Sequence, residues 1–233
     1  MKKIILIMLA ISLVALVSCK KPAAATAAAA ADPTKTSDPS YAFGIAIGTS
    51  LKDIGIEVKY DQFVKGMKDV LDGKNKQTLT NDQATQVIQA AITASSAKKG
   101  EENIKKETDF LAANGKKAGI ITTASGLQYE ILKAGDGAKP VATDTVKVDY
   151  VGTLLDGTTF DSSIARGTPA EFPLSGVIPG WTEGMQLMKV GGKTKFYIPS
   201  KLAYGPTGAG SSVPPNSTLI FEVTLLEITT PKK

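Results

Sequence analysis

The apolar periodicity of this chain changes once, near Ser125, and that change constrains the fold more than any composition figure. Before it, apolar residues recur at helical spacing. Phe63, Val64, Met67, Val70 and Leu71 fall at i, i+1, i+4, i+7 and i+8, one face of an amphipathic helix, with Asp61 placed to cap it and Gly73 to stop it. Ser37-Asp38-Pro39 is a further helix start, and Tyr41 to Leu51 after it carries Gly44 and Gly48 at a spacing that permits close helix contact. Thr80 with Gln83 forms a capping-box pattern, followed by an apolar stripe of Ala84, Val87, Ile88, Ala91 and Ile92. Glu101 and Glu102 precede Lys105 and Lys106 by four residues each, as in a solvated helix face, and Asn114-Gly115 offers a stop. Unbroken, Thr80 to Asn114 would span about 50 Å at about 1.5 Å per residue, with Gly100 as its weak point. Such a rod is expected to act as an arm separating two bodies.

After Ser125 the period is two. Leu127, Tyr129 and Ile131 alternate with polar residues, as do Val146, Val148 and Tyr150; Asp156-Gly157 signals a hairpin before Thr158 to Asp161. Lys195 to Pro199 and Thr218 to Ile228 read as two more strands, with one short helical patch around Trp181 to Met188. A chain of 233 residues with helices first and strands afterwards is expected to be α+β.

Met1-Lys2-Lys3 followed by the apolar run Ile4 to Val17 is a secretory signal pattern. That run reaches roughly 21 Å as a helix, short of a bilayer core of about 30 Å. It ends in Leu16-Val17-Ser18-Cys19, which resembles the bacterial lipobox. The resemblance implies cleavage before Cys19, lipidation of Cys19, export, and anchoring to a bacterial membrane, expected to be the outer one, facing the periplasm or the cell surface. The division expected is a signal over residues 1–18, an Ala/Pro-rich tether over 19–37, a helical arm over 38–117 and a second domain over 118–233. The apolar faces of the two short helices exceed what those helices can bury alone, so a homodimer through the arm is expected.

Composition narrows the chemistry. Histidine is absent and Cys19 is the single cysteine, so no Ser-His-Asp triad, His-bearing zinc site or intrachain disulfide can form. The net charge of +5 is carried almost wholly by lysine, Arg166 being the lone arginine, a poor composition for a nucleic-acid reader. Nine of the 14 aromatic residues lie from Tyr129 onward, a concentration that suggests an aromatic-lined cavity.

Seven fragments then fall in a recognisable order. They are Tyr150-Val151-Gly152, Asp156-Gly157, Phe160-Asp161-Ser162-Ser163, Val177-Ile178-Pro179-Gly180-Trp181, Leu202-Ala203-Tyr204-Gly205, Val213-Pro214-Pro215 and Leu219-Ile220-Phe221. Over about Gly126 to Ile228 the chain resembles the FKBP-type peptidyl-prolyl isomerases, and the upstream arm resembles the dimerisation module of their macrophage infectivity potentiator branch. The resemblance implies a twisted antiparallel sheet wrapped around one short helix, preceded by an all-α arm with a long connecting helix. It puts Trp181 at the floor of a pocket walled by Tyr150, Phe160, Phe172, Val177, Ile178 and Phe221, with Val213 in the loop above. Asp161 and Tyr204 are its polar members, Ile178 offers a backbone N–H to a substrate carbonyl, and Arg166 partners the Asp161 carboxylate. Ala170 and Ser212 depart from the eukaryotic pattern and would widen or wet the pocket.

The implied activity is acceleration of X-Pro bond rotation in exported proteins, with proline-containing polypeptides as substrates, immunosuppressive macrolides as further pocket ligands, and no metal or cofactor. Two other readings stand beside it: a lipid-anchored chaperone whose cleft holds unfolded chains with little isomerase activity, and a structural surface lipoprotein. Retention of Asp161, Trp181 and Tyr204 favours the enzyme.

Overall fold

The computed structural model describes residues 38–73 and 77–229. The signal, the tether and Cys19 lie outside the described residues. The chain divides by compactness into a unit ending at Gly44 and a second unit from Ile45 to Lys233, the latter holding the long helix and the sheet together.

Three helices come first: α1 (Pro39–Ile54), α2 (Tyr60–Leu71) and α3 (Asn81–Asn114). Asp38 starts α1 by accepting from the Ser40 N–H at 2.7 Å. The N-cap of α2 is Lys59 rather than Asp61; Asp61 sits inside the first turn, where its charge suits the positive end of the helix dipole. Thr80 and Gln83 make both bonds of a capping box at the start of α3. Among the described residues no helix is long and apolar enough to cross a membrane.

Helix α3 runs through Gly100 without a break, and its second half is not the bare rod that its thin apolar content suggests. Gly100 and Asn114 are buried. Phe110 packs on Tyr197, with ring centroids 5.8 Å apart, and the Asn114 amide donates to Gln128 Oε1 at 3.0 Å. Polar contacts and single aromatics, invisible to a count of apolar periodicity, seat this half of α3 on the sheet domain.

The sheet is antiparallel throughout, with order β1-β2-β6-β7-β3-β4 and β5 also paired to β3. Its strands are β1 (Ile121–Thr122), β2 (Gln128–Lys133), β3 (Thr145–Thr153), β4 (Thr159–Ser162), β5 (Ala170–Pro173), β6 (Lys193–Ile198) and β7 (Leu219–Thr229). Burial alternates along β3 and most of β7, so one face of the sheet is core. Val146, Val148, Phe196, Ile198, Leu219, Val223 and Leu225 are fully inaccessible on that face. A one-turn helix, α4 (Ser163–Arg166), follows β4, and α5 (Pro179–Met185) lays Trp181 and Met185 into the core. Gly184 lets α5 come down on the sheet, since a β-carbon there would lie 2.8 Å from the Phe196 ring. This is an α+β fold whose hydrophobic core, among the described residues, lies between α5 and the sheet.

Candidate active site

A cavity of about 250 Å³ opens where α5 meets β3, β4, β5 and β7. Trp181 enters from α5, and three rings stand edge-on to its indole. Those of Tyr150, Phe172 and Phe221 lie 5.3, 5.4 and 5.2 Å away at interplanar angles of 87°, 86° and 80°. Phe160 stands edge-on to Phe221 at 5.4 Å. Edge-to-face contacts favour the ring quadrupoles and hold each wall in one orientation. Gly152 is required beneath them: a β-carbon there would lie 2.7 Å from Phe221 and 2.8 Å from Phe160. The indole Nε1–H of Trp181 is buried without an acceptor among the described residues.

The polar edge of the cavity is built by β3, β4 and α4. Ser162 caps α4 by accepting from the Ala165 N–H at 3.1 Å, and Gly167 ends it in the left-handed region at φ 73°. That single turn brings Arg166 back over Asp161. Arg166 Nη1 donates to Asp161 Oδ1, the Tyr150 hydroxyl donates to Asp161 Oδ2, and Arg166 Nη2 donates to the Tyr150 oxygen at 2.8 Å. The guanidinium carbon also lies 5.6 Å from the Tyr150 ring centroid. Burial by itself pushes the Asp161 carboxyl up, but the bonds from Tyr150 and Arg166, with the arginine charge, outweigh it and hold the group below its ordinary value. Burial, then the neighbouring carboxylate, raises the Tyr150 hydroxyl. Near neutrality Asp161 is therefore a fixed anion and Tyr150 a fixed donor; neither is poised to exchange a proton.

Ile178 sits at the N-cap of α5 with extended φ −59° and ψ 147°. Its carbonyl accepts from Trp181 and Thr182, and its own N–H has no acceptor among the described residues. Tyr204, from the β6–β7 connection, lines the cavity with its side chain partly exposed.

Of the residues singled out in the sequence, Tyr150, Phe160, Asp161, Phe172, Val177, Ile178, Trp181, Tyr204 and Phe221 line one cavity, and Arg166 stands behind Asp161. Val213 does not line it. Its side chain is 3% exposed within the core, and its backbone pairs with Ala209, so it supports the loop from beneath. Gly176 lines the cavity without having been singled out; a lone glycine between Ser175 and Val177 carries no sequence signal. Ala170 packs partly buried on the core, and Ser212 is exposed. A larger groove of about 770 Å³ runs between α3 and the β3–β4 hairpin. Charged side chains such as Lys99, Glu102, Lys106 and Asp109 line much of it, and it contains none of the aromatic cluster.

An aromatic cavity with one fixed carboxylate at its edge, in a chain without histidine, has the shape and chemistry of a site for an apolar polypeptide segment. Residues 137–226 match the family described as FKBP-type peptidyl-prolyl cis-trans isomerase, and residues 36–131 match the domain amino-terminal to it. The chain is 45% identical to the FKBP-type peptidyl-prolyl cis-trans isomerase FkpA of Aeromonas hydrophila, over 95% of this chain and 91% of the relative. It is 45% identical to the outer membrane protein MIP of Legionella longbeachae, over 88% and 93%. The crystal structure of FkpA from Escherichia coli superposes with a TM-score of 0.65 at 38% identity, covering 88% of this chain and all of that one. The chain belongs to the FKBP-type peptidyl-prolyl cis-trans isomerases. It is an isomerase of X-Pro bonds in polypeptides.

Proposed function

We propose that rotation is accelerated in the Trp181-floored cavity by desolvation and orientation, with the proline ring over the indole and the preceding carbonyl held by the Ile178 N–H. The barrier to be lowered is about 18–20 kcal/mol, and unassisted X-Pro bonds turn over in tens to hundreds of seconds. The planar amide is the more dipolar form, and water stabilises it. Moving it into a cavity walled by Tyr150, Phe160, Phe172, Val177 and Phe221 withdraws that stabilisation, so the twisted geometry is the one bound better. Asp161 shapes the field at the rotating carbonyl, Arg166 holds Asp161 in place, and Tyr204 supplies a second polar contact. The observation that carries this reading is the Arg166–Asp161–Tyr150 triangle closing the edge of an otherwise apolar aromatic cavity. Turnover of a panel of short X-Pro peptides tests it. Activity is expected to track the apolar character of the residue before proline, and a protein inactive on every peptide would refute it.

The proposal extends to the rest of the chain. Residues 1–18 act as an export signal, Cys19 as the lipidated amino terminus, and the arm as a dimerisation element. The anchor is supported by Leu16-Val17-Ser18-Cys19 behind an apolar run, and by a relative named as an outer membrane protein. An unmodified Cys19 in the mature native protein, detected by mass spectrometry, would end it. Dimerisation is supported by exposed apolar side chains on both short helices, Ile45 and Ile47 on α1 and Val64, Met67 and Leu71 on α2. A β-carbon at Gly48 meets nothing within 4 Å. Gly48→Leu should therefore weaken pairing without straining one protomer, as light scattering would show.

A further inference from the structure

The connection between β6 and β7, residues 199–218, is long for a compact domain, and loops of this length are usually functional or disordered. Within it, Tyr204 is the residue that lines the cavity. Both ends of this loop are tied to one carboxylate on α3. Glu107 Oε2 accepts from the Ser200 N–H at 2.6 Å and from Thr218 Oγ1 at 2.8 Å, and Glu107 Oε1 accepts from Ser200 Oγ at 3.1 Å. Asn103, one helical turn earlier, donates through Nδ2 to the Pro215 carbonyl at 2.9 Å. One turn earlier again, the Gly100 carbonyl accepts from Asn216 Nδ2 at 3.4 Å. Gly100, Asn103 and Glu107 thus share one face of α3.

Gly100 lets the loop approach α3 closely. A β-carbon there would lie 3.2 Å from Asn216 Nδ2 and 3.3 Å from Pro215. Asn216 itself has φ 54°, the left-handed region that non-glycine residues seldom occupy. That conformation lets its N–H donate to the Gly205 carbonyl at 2.8 Å, directly after Tyr204, while its side chain reaches α3. A continuous path therefore runs from the helix through Asn216 and Gly205 to the cavity wall. Glu107 closes the loop at its base.

We infer that Glu107 is a positioning residue of the isomerase, and that α3 holds the Tyr204 loop in its substrate-competent form through Glu107, Asn103 and Asn216. Losing the carboxylate frees both loop ends. The competent form then becomes a fraction of the population, and the apparent dissociation constant rises as the inverse of that fraction. The inference rests on Tyr204 contributing to the site.

The test compares full-length wild type, Glu107→Ala, Glu107→Gln, Asn103→Ala and Tyr204→Phe, with the Glu107→Ala/Tyr204→Phe double variant, on a short X-Pro peptide, with amide exchange across 201–217. Glu107→Ala is expected to raise KM about five-fold with kcat nearly unchanged, and to speed exchange in the loop by a similar factor. Glu107→Gln, which keeps one acceptor oxygen, should recover part of both effects. In the Tyr204→Phe background the Glu107→Ala penalty should shrink, since the two act through one loop. Wild-type KM and loop exchange in a folded Glu107→Ala protein would overturn the inference, as would strict additivity with Tyr204→Phe. Should Glu107→Ala fail to fold, unchanged KM in Glu107→Gln and Asn103→Ala would overturn it equally. A silent Tyr204→Phe would instead strike at the role of Tyr204.

Discussion

Ile178→Pro isolates one atom of the mechanism. The substitution removes the backbone N–H proposed to hold the substrate carbonyl, and the local geometry accepts it. Ile178 has φ −59°, inside the range a proline ring imposes, and Val177 before it has ψ 173°, as a residue preceding proline requires. The N–H has no acceptor in the free protein among the described residues, so no internal bond is lost. Folding should therefore lose only part of the apolar contact of a half-buried isoleucine, about 1 kcal/mol. A neutral hydrogen bond contributes about 0.5–1.5 kcal/mol net, and a donor aimed at a reacting oxygen reaches about 2.7–4 kcal/mol where full charge develops. An amide carbonyl gains no full charge on rotation, so the lower range applies, and kcat/KM on a short X-Pro peptide should fall about 3- to 10-fold. Ile178→Val keeps the N–H and trims the wall, and its loss sets the baseline. A folded Ile178→Pro protein with the kcat/KM of Ile178→Val would refute the role of the N–H.

Asp161→Leu should reduce kcat/KM about 10-fold or more, and Arg166→Ala should act in the same direction but less, because it only loosens the carboxylate; peptide assays on folded variants check both. The pH profile should be nearly flat from about pH 6 to about pH 8, with no histidine to titrate there. The folded-state value of Asp161 is depressed, so its contribution to stability is complete above its unfolded value and is lost only as pH falls through the lowered one. An inflection in kcat/KM near neutrality would contradict this. Gly152→Ala should lower thermal stability by about 1–3 kcal/mol and activity with it, because Phe160 and Phe221 must both move; calorimetry and the peptide assay together read it.

The features legible in the residues are local ones. Periods of 3.6 and 2, the Thr80–Gln83 capping box and the Asp156-Gly157 turn each depend on residues within a few positions of one another. The helices and most strands were legible for that reason. The site was partly legible because its aromatic residues fall in fragments whose order is recognisable, and because a single arginine stands five residues after Asp161. Val213 shows the boundary: its fragment places it in the loop above the pocket, but whether its side chain faces cavity or core depends on the Ala209 pairing.

The role of α3 is set by contacts between distant parts of the chain. Its second half lacks a continuous apolar stripe, so periodicity makes it a spacer. It packs through Gly100, Asn103, Glu107, Phe110 and Asn114, whose partners lie from 14 to more than a hundred residues away in the chain. Polar contacts between distant residues leave no period to read. They exist only once the pairing of β6 with β7 has brought Ser200, Pro215 and Thr218 to the same end of those strands.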